Sequence, residues 1–239
     1  MTKVTPYNST ETKKKQVTKM FDNIAGSYDF LNHTLSLGMD NIWRKIAIKK
    51  LSNNTATILD IATGTGDFAI SAAKYTNASV TGIDISQGML DIGIKKISKQ
   101  GLTDRIQLQL ADSEDLPFQE NSFDGITAGF GVRNFENLNK GLSEIYRTLK
   151  QDGVVTILEP SEPNYFLLKQ LYKLYFHHIL PLIGGIISKD KKAYSYLPDS
   201  VSAFPSGNDF LTELETVGFK EYKHIPLSFG IVSLYVAIK

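Results

Sequence analysis

The chain of 239 residues is 42% hydrophobic and 21% charged, a composition typical of one globular domain with a full core. Its formal net charge of +1 argues against nucleic acid as a partner, because no large positive field is present. The absence of cysteine excludes disulfides, thiolate catalysis and cysteine-zinc sites, and it fits a cytoplasmic protein. The sequence contains no uninterrupted apolar run of about 18 residues, so we expect no membrane span.

Residues 1–54 are predicted to form an N-terminal helical lead-in. Apolar residues recur at three- and four-residue steps from Gln16 onward, and a second such run extends from Ile42 to Leu51. The stretch Tyr28–Asp40 between them, YDFLNHTLSLGMD, is so rich in turn formers that we do not expect it to belong to one helix.

From Thr55 onward, strand and helix patterns alternate, which predicts right-handed crossovers and a parallel sheet covered on both faces. The predicted strands are Thr55–Asp60, Ser79–Asp84, Arg105–Asp112, Phe123–Phe130 and Val154–Glu159. The predicted helices include Asp67–Tyr75, one capped by Ser86, one that runs through Leu149 and is closed by Gly153, and one capped by Ser206.

The C-terminal strands, near Phe219–His224 and Gly230–Ile238, are joined by a short link and should therefore form an antiparallel hairpin. Together the patterns predict an α/β fold with a doubly wound Rossmann-like sheet, mostly parallel, that ends in this hairpin. We expect residues 1–239 to form a single domain.

Residues 160–200 interrupt the alternation with four prolines and many aromatic residues, and are predicted to form an inserted, lid-like segment. The stretch Tyr165–Ile187 is apolar, but Lys169, Lys173 and Pro181 interrupt it, so it does not fit a membrane span. Such a lid would suit an apolar ligand and peripheral contact with the inner face of a membrane. A core-packed excursion or a homodimer face would explain the same composition.

The segment Ile58–Phe68, ILDIATGTGDF, combines an apolar strand with a glycine turn. The pattern Gly64-x-Gly66-x-x-Ala69 can seat a dinucleotide pyrophosphate on a helix N-terminus, and it also suits other nucleoside ligands. Asp84 ends the next strand about 20 residues beyond the turn, where a carboxylate accepts a hydrogen bond from a ribose hydroxyl. These features alone do not separate a dinucleotide from another nucleoside.

Asp60, four residues before the first glycine, favours a cationic ligand. Repulsion on the order of 1 kcal/mol or more would oppose a pyrophosphate near Asp60, whereas the sulfonium of S-adenosylmethionine would be attracted. Asp112 ends the third predicted strand, where it can meet an adenine amino group, and Met89 can pack on the adenine ring. Asp67, in contrast, is expected to cap its helix. The predicted cofactor is therefore S-adenosyl-L-methionine, with S-adenosyl-L-homocysteine as product.

Several motifs resemble those of the class I methyltransferases that C-methylate quinone precursors, the demethylmenaquinone methyltransferases and their ubiquinone-pathway relatives. The motifs are ILDIATGTGD, DISQGML, ADSEDLPF, NSFDGITAGFGVRN and YSYLPDSVSAFP, and the resemblance extends from about Val17 to Lys239. It implies a class I methyltransferase fold and cofactor contacts at Thr65, Asp84, Asp112, Ser113 and Gly129. The predicted cofactor site also includes Thr63, Gly64 and Gly66 of the glycine turn, where the backbone must approach the ligand closely. Gly129 stands where the family often has serine, and Asp112 where it often has asparagine, so a hydroxyl and an amide donor are lost.

For the acceptor, the resemblance implies that Arg133 and Asn134 are catalytic and that Tyr28 lines the pocket. Methylation of a ring carbon needs a deprotonated neighbouring hydroxyl, and the phenol pKa near 10 means that the site must stabilise the anion. Arg133 carries a permanent charge suited to this role, although a simple salt bridge to Glu136 or Asp124 is the alternative. The four histidines show no metal-ligand spacing with carboxylates, so we expect no metal.

Three hypotheses for the function follow. The first is a C-methyltransferase for a prenylated hydroquinone, with conversion of demethylmenaquinol to menaquinol favoured over the ubiquinone-pathway benzoquinol. The second is a methyltransferase for another small acceptor. The third is a nicotinamide-binding oxidoreductase or a catalytically silent nucleotide-binding module.

Overall fold

The computed structural model of the protein describes residues 4–7, 9–163, 165–174 and 191–239. The helices are α1 (Lys13–Leu35), α2 (Met39–Ile48), α3 (Asp67–Tyr75), α4 (Gln87–Lys99), α5 (Leu138–Thr148), α6 (Phe166–Leu174), α7 (Lys191–Ala203) and α8 (Asn208–Thr216). The strands are β1 (Thr57–Ile61), β2 (Ser79–Asp84), β3 (Ile106–Leu110), β4 (Phe123–Gly129), β5 (Leu149–Pro160), β6 (Glu221–Leu227) and β7 (Val232–Ile238).

These strands form one sheet in the order β3-β2-β1-β4-β5-β7-β6. The first five strands of this order run parallel to one another, whereas β7 runs antiparallel to both β5 and β6. The predicted doubly wound sheet with an antiparallel C-terminal hairpin is confirmed. Because the strand order reverses between β1 and β4, the carboxyl ends of these two strands flank the place where such sheets bind ligands.

The central strand β1 is buried on both faces, and its side chains alternate between two parts of the core. Leu59 and Ile61 pack with residues of α5 and α8, whereas Ile58 packs with residues of α2 and α3. Asp60 lies between Leu59 and Ile61, so its fully buried side chain faces the α2 and α3 layer.

The prediction that Tyr28–Asp40 does not belong to one helix is confirmed, because α1 ends at Leu35 and α2 begins at Met39, although α1 takes in most of this stretch. Leu31 is fully buried within this stretch, and Asp29 forms an ion pair with Lys96 of α4. These tertiary contacts outweigh the weak helix propensity of the polar residues around them.

A short left-handed turn separates α1 from α2. Leu37 has φ 52° and Gly38 has φ 74°, and the Gly38 amide donates a hydrogen bond to the His33 carbonyl (2.8 Å). The left-handed conformation is uncommon for leucine, and the Leu37 side chain is 90% exposed.

Two predicted helix boundaries are wrong. α5 ends at Thr148, and Leu149 already begins β5 rather than continuing the helix to Gly153. The spacing that suggested a helical position for Leu149 reflects its complete burial in the core. α8 begins after Gly207 rather than after Ser206, and the Gly207 backbone (φ 61°, ψ −126°) favours glycine.

Helices α6 and α7 come from the predicted insertion. Residues 175–190, which include His177 and His178, lie outside the described residues. Across the described part of the chain, none of the helices combines the length and the apolar character needed to traverse a bilayer.

Candidate active site

A cavity lies at the carboxyl ends of β1, β2 and β4, where the topology predicts the ligand site; we call it the switch-point cavity. Its lining includes eight of the residues that the sequence singled out: Tyr28, Gly64, Asp84, Met89, Asp112, Ser113, Gly129 and Asn134. The structure therefore brings these side chains and backbone groups together around one space.

Backbone hydrogen bonds hold the loop after β1 against the end of β2. The Thr63 amide donates to the Ile83 carbonyl (2.9 Å), and the Gly64 amide donates to Oδ2 of Asp84 (2.8 Å). Gly64 (φ 55°) and Gly66 (φ 82°) adopt the left-handed conformation that favours glycine. Asp84 therefore fixes the glycine turn in addition to ending β2.

The second oxygen of Asp84 connects the turn to α4. Oδ1 accepts a hydrogen bond from the Ser86 amide (2.9 Å), and Ser86 Oγ accepts from the Met89 amide (3.2 Å), so the predicted cap of α4 is confirmed. Burial raises the pKa of the Asp84 carboxyl, although the hydrogen bonds from Ser86 and Gly64 oppose this shift.

Asp60 lies fully buried behind the turn rather than at its mouth. Thr63 Oγ1 donates to its Oδ2 (2.5 Å), and Thr127 Oγ1 donates to its Oδ1 (2.7 Å). Burial raises the pKa of Asp60 to about 6 despite these hydrogen bonds. Neither Asp60 nor Thr63 lines the switch-point cavity, so a direct contact between Asp60 and a cationic ligand stays a prediction that this position does not favour.

Thr65 and Gly66 also lie outside the lining of the switch-point cavity. Thr65 Oγ1 donates to Oδ1 of Asp29 (2.5 Å), and Lys96 Nζ lies 2.6 Å from Oδ2 of Asp29 and 2.6 Å from Oδ1 of Asp67. The expectation that Asp67 caps α3 is wrong, because Gly66 occupies the cap position and the Asp67 carboxylate pairs with Lys96. This network supports the turn from the side of α1 and α4.

Two residues of the switch-point cavity, Lys14 and Glu114, were missed by sequence reasoning. Lys14 Nζ lies 2.6 Å from Oδ2 of Asp112 and 3.2 Å from Oε2 of Glu114. The Glu114 amide donates to Oδ1 of Asp112 (2.9 Å). The lysine run at residues 13–15 gives no signal for this contact, because its partners lie about 100 residues away in the sequence.

A steric contact favours glycine at position 129. A β-carbon at Gly129 would lie 2.9 Å from Cδ1 of Phe68, a buried residue of α3. A contact this short requires a shift of the Phe68 ring, so Phe68 disfavours the serine that the family often has here.

A second cavity, of about 630 Å³, adjoins the first; we call it the apolar cavity. Its walls come from α1, α2, α6, α7 and the turn between β6 and β7. Phe21, Tyr28 and Phe130 line both cavities, and Arg133 lines the apolar one. A ligand in either cavity would therefore meet a ligand in the other at these three aromatic rings.

The partner of Arg133 is neither Glu136 nor Asp124, so that alternative is wrong. Arg133 Nη1 lies 2.9 Å from Oε2 of the buried Glu159, and the same nitrogen donates to the Phe130 carbonyl. Burial raises the pKa of Glu159, while the positive charge of Arg133 opposes the shift. Glu159 lies where the strand-helix alternation stops, which is the one sequence signal that could have drawn attention to it.

Asn134 joins the switch-point cavity to the wall of the apolar cavity. Its Oδ1 accepts a hydrogen bond from the hydroxyl of Tyr196 (3.1 Å), a residue of α7 that lines the apolar cavity. Among the described residues, its Nδ2 is buried and has no hydrogen-bond partner.

His33 contradicts the expectation that no histidine lies at metal-ligand spacing from carboxylates. Its Nδ1 is 2.8 Å from Oδ2 of Asp40, and its Nε2 is 3.6 Å from Oδ2 of Asp67. The Arg44 guanidinium occupies the same cluster, 2.5 Å from Asp40 and 3.7 Å from Asp67. A permanent cation among these carboxylates favours an ion-pair network over a metal site, and the absence of a metal stays a prediction.

Comparison with known proteins gives a consistent relationship. The model of the ubiE/COQ5 methyltransferase family matches residues 9–239. The demethylmenaquinone methyltransferase of Bacteroides fragilis is 46% identical over 239 residues, 99% of this chain and 98% of that protein. The ubiquinone/menaquinone biosynthesis C-methyltransferase UbiE of Geotalea daltonii is 46% identical over 230 residues, 95% of this chain and 97% of that protein.

A solved structure supports the same fold. A proposed S-adenosyl-L-methionine-dependent methyltransferase of Methanococcus maripaludis superposes with a TM-score of 0.67 and 25% identity, over 92% of this chain and 94% of that one. The family model spans the glycine turn, the FGVRN loop and both C-terminal strands. The chain belongs to the ubiE/COQ5 methyltransferase family.

Proposed function

We propose that the protein is an S-adenosylmethionine-dependent C-methyltransferase that converts demethylmenaquinol to menaquinol. The observation that carries the proposal is the junction of the two cavities at Phe21, Tyr28 and Phe130. A nucleoside site that opens onto an apolar cavity of about 630 Å³ fits a methyl donor beside a large lipophilic ring. Membership of the ubiE/COQ5 family and the names of its relatives support the same reaction.

The residues of the switch-point cavity suit S-adenosylmethionine, which supplies a methyl group on a positively charged sulfur when it is bound. Asp84, Asp112 and Glu114 line the cavity, and Lys14 is paired with two of them. This excess of carboxylates favours a cationic ligand over a pyrophosphate.

Each predicted contact residue has a role in this site. Asp84 would accept ribose hydroxyls with the lone pairs that its two backbone hydrogen bonds leave available. Asp112 and Ser113 would meet the adenine edge, Met89 would pack against the adenine ring, and Gly129 would offer its backbone. Asp60, Thr63, Thr65 and Gly66 would hold the turn in place from behind.

At the acceptor, Arg133 and Asn134 would hold the ring hydroxyl as its anion. A phenol has a pKa near 10, so the adjacent ring carbon becomes nucleophilic at neutral pH only where the phenolate is stabilised. The Arg133 guanidinium carries a permanent positive charge and cannot remove the proton itself, so an ordered water would carry the proton away. Pairing with Glu159 fixes the guanidinium, and Tyr28, which lines both cavities, would pack beside the ring.

The second candidate acceptor is the benzoquinol of the ubiquinone pathway. The name of the Geotalea daltonii relative covers both ubiquinone and menaquinone biosynthesis. The size of the apolar cavity accommodates either ring.

The test is incubation of the purified protein with methyl-labelled S-adenosylmethionine and each reduced acceptor in separate reactions. We expect mass spectrometry to locate the label on a ring carbon of the naphthoquinol. Label on an oxygen, or on neither ring, would remove the proposed chemistry. Calorimetry with S-adenosylhomocysteine and with NAD tests the cofactor independently, and binding of NAD alone would overturn the assignment.

The mouth of the apolar cavity would dock on the inner face of a membrane, from which a prenylated quinol would enter. Leu37 and Phe229 line the cavity and are 90% and 72% exposed. Both have positive φ (52° and 59°), a strained conformation for residues of this size, yet both present apolar side chains outward. Exposed Phe166 and Leu167 lie on α6, which also contributes Tyr172 to the cavity wall.

Sedimentation with vesicles that contain phosphatidylglycerol tests this docking. The unmodified protein should pellet, and Leu37→Asp/Phe229→Asp should stay in the supernatant, because each aspartate opposes burial in lipid. Ile94→Asp, at an exposed apolar position on α4, is the control and should still pellet. If the double variant pellets normally, the docking is wrong; if it instead converts a dimer to a monomer, the face contacts a second copy.

A further inference from the structure

We propose that Tyr196 is a positioning residue that holds Oδ1 of Asn134, so that Nδ2 of Asn134 donates to the acceptor oxygen. The inference rests on the proposed function and assigns a role to the YSYLPDS motif, which the proposed chemistry does not otherwise use. Tyr196 acts through Asn134 and not on the reacting atoms.

The carboxamide of Asn134 has one satisfied and one unsatisfied side. Oδ1 accepts from the Tyr196 hydroxyl (3.1 Å), while Nδ2 is buried with no hydrogen-bond partner among the described residues. An unpaired buried donor is destabilising, and such a group in a native structure calls for an explanation, of which a catalytic role is one. Asn134 and Phe130 both line the switch-point cavity, and Phe130 also lines the apolar cavity, so an acceptor oxygen that enters from the apolar cavity would complete the hydrogen bonding of Asn134.

The Tyr196 hydroxyl is suited to orient this amide. Burial raises the pKa of Tyr196 to about 12, so the phenol stays protonated at any pH where the enzyme would work. A protonated phenol donates to Oδ1 and leaves the NH₂ group directed away from itself. Tyr196 is buried, so water does not compete for this contact.

A second contact, between Ser200 and Arg133, comes from the same YSYLPDS motif. Ser200 lies four residues after Tyr196, so both side chains lie on one face of α7. Ser200 Oγ accepts a hydrogen bond from Arg133 Nε (3.4 Å). One helix face therefore contacts both residues that would hold the phenolate, although neither of its own two residues would touch the reacting carbon.

The variant Tyr196→Phe tests the inference through the pH dependence of kcat. In the pH profile, kcat should rise as the acceptor hydroxyl loses its proton. If Asn134 stabilises the phenolate, loss of the orientation of Asn134 should move this rising limb to higher pH by about one unit. At pH values below the limb this shift lowers kcat about 10-fold, while KM for S-adenosylmethionine changes by less than about two-fold.

The controls separate positioning from a loss of folded structure. Tyr235→Phe removes a hydroxyl that accepts a hydrogen bond from the Gly207 amide (2.9 Å) at an equally buried site outside both cavities, and should leave the limb unshifted. Asn134→Ala should lower kcat further, and adding Tyr196→Phe to it should cost nothing more, because the orienting hydroxyl has lost its target. The inference would be overturned if the rising limb of kcat in Tyr196→Phe coincided with that of the unmodified protein. It would also be overturned if the losses of kcat in Tyr196→Phe and Asn134→Ala added in the double variant.

A measurement without turnover distinguishes failure of the inference from failure of the proposed function. The side-chain amide of Asn134 gives a pair of ¹⁵N–¹H signals that can be assigned with Asn134→Ser. We expect Tyr196→Phe to shift or broaden this pair, and Tyr235→Phe to leave it in place. If the unmodified protein methylates no quinol, the proposed function fails; if the amide pair is the same in Tyr196→Phe, the positioning role fails.

Discussion

Lys14 Nζ lies 2.6 Å from Oδ2 of Asp112, so the first turn of α1 is joined to the loop after β3 across the switch-point cavity. This ion pair connects the helical lead-in to the Rossmann-like sheet at the proposed adenine site. It also gives a charge partner to the carboxylate that stands where the family often has a neutral asparagine.

The first prediction is that Lys14→Gln weakens binding of S-adenosylhomocysteine. Without the lysine, Asp112 and Glu114 repel each other, and α1 loses its ion pairs with these two residues of the cavity. The two side chains of the pair are 31% and 32% exposed, so we expect a loss of at most about five-fold, smaller at high salt. Calorimetry at low and high salt measures it, and Lys15→Gln, at an exposed neighbour, is the control. Equal affinities of the two variants would contradict the prediction.

The second prediction concerns Asp84, which would bind the ribose and also fixes the glycine turn through the Gly64 amide. Asp84→Ala should weaken binding of S-adenosylhomocysteine by about 1–3 kcal/mol, because it removes a buried hydrogen-bond acceptor from both partners. Asp84→Asn should lose less, since one acceptor oxygen remains. The control is Asp91→Ala on the exposed face of α4, and an unchanged affinity in Asp84→Ala would show that this carboxylate is misassigned.

The sheet could be predicted because its signals are local. Apolar runs mark the buried strands, and glycines and a capping serine mark many of the turns. The length of α1 within Tyr28–Asp40 could not be predicted, because Leu31 and Asp29 are held in the helix by contacts with other elements. Local composition does not contain those contacts.

In the candidate site too, local sequence signals predict some of the residues and not others. Gly64 and Asp84 could be placed because the carboxyl ends of parallel strands meet at one edge of the sheet. The pairs Arg133–Glu159, Tyr196–Asn134 and Lys14–Asp112 join residues that are 26, 62 and 98 positions apart, and no local pattern connects them. The sequence predicts a ligand contact for Asp60, because the burial of this carboxylate cannot be deduced from its position beside a turn.

The third prediction concerns the glycine at position 129. Gly129→Ser should destabilise the protein by about 1–3 kcal/mol, because its β-carbon would lie 2.9 Å from the Phe68 ring. Phe68→Leu/Gly129→Ser should be less destabilised than the sum of the two single variants, since the smaller side chain leaves room for the serine. Urea unfolding of the four proteins measures this, and strict additivity would contradict the steric explanation.

The fourth prediction is that the charge of Arg133 is needed by Glu159 as much as by the acceptor. Arg133→Met should lower the free energy of unfolding by about 3–5 kcal/mol, because it leaves a buried carboxylate without its partner. Arg133→Met/Glu159→Gln should regain part of this loss, since glutamine is neutral and still accepts from the residue 133 amide. A double variant no more stable than Arg133→Met would show that the pair is not what destabilises the single variant.

The fifth prediction uses the raised pKa of Asp60. With a value of about 6 in the folded protein and 3.8 as the ordinary value, the folded state binds the proton more tightly between these pH values. The contribution of Asp60 to the free energy of unfolding is therefore fully present below pH 3.8 and is lost as pH rises through 6. The total loss is about 3 kcal/mol. Asp60→Asn should remove this dependence, so its stability relative to the unmodified protein should improve between pH 4 and pH 7 in urea unfolding.

Asp124→Asn is the matched control, because the Asp124 carboxyl titrates well below the pH range in which Asp60 titrates. Burial would raise its pKa, but hydrogen bonds from Lys150 and Thr57 lower it to about 2, so it is ionised in both folded and unfolded states above pH 5. Its variant should follow the curve of the unmodified protein across pH 5–7. If Asp60→Asn follows that curve too, the Asp60 carboxyl is not titrating in the folded protein over this range.

The same Asp60 variant decides whether a buried carboxylate can select a cation that it does not touch. Above pH 7 Asp60 is ionised, and its charge lies behind the turn, with Thr63 and Thr127 as its hydrogen-bond donors. If that charge acts on the ligand through the turn, Asp60→Asn should weaken S-adenosylmethionine more than S-adenosylhomocysteine, because only the first carries the sulfonium charge. Equal losses for the two ligands would reduce Asp60 to a support of the glycine turn, and the preference for a cationic ligand would then depend on Asp84, Asp112 and Glu114.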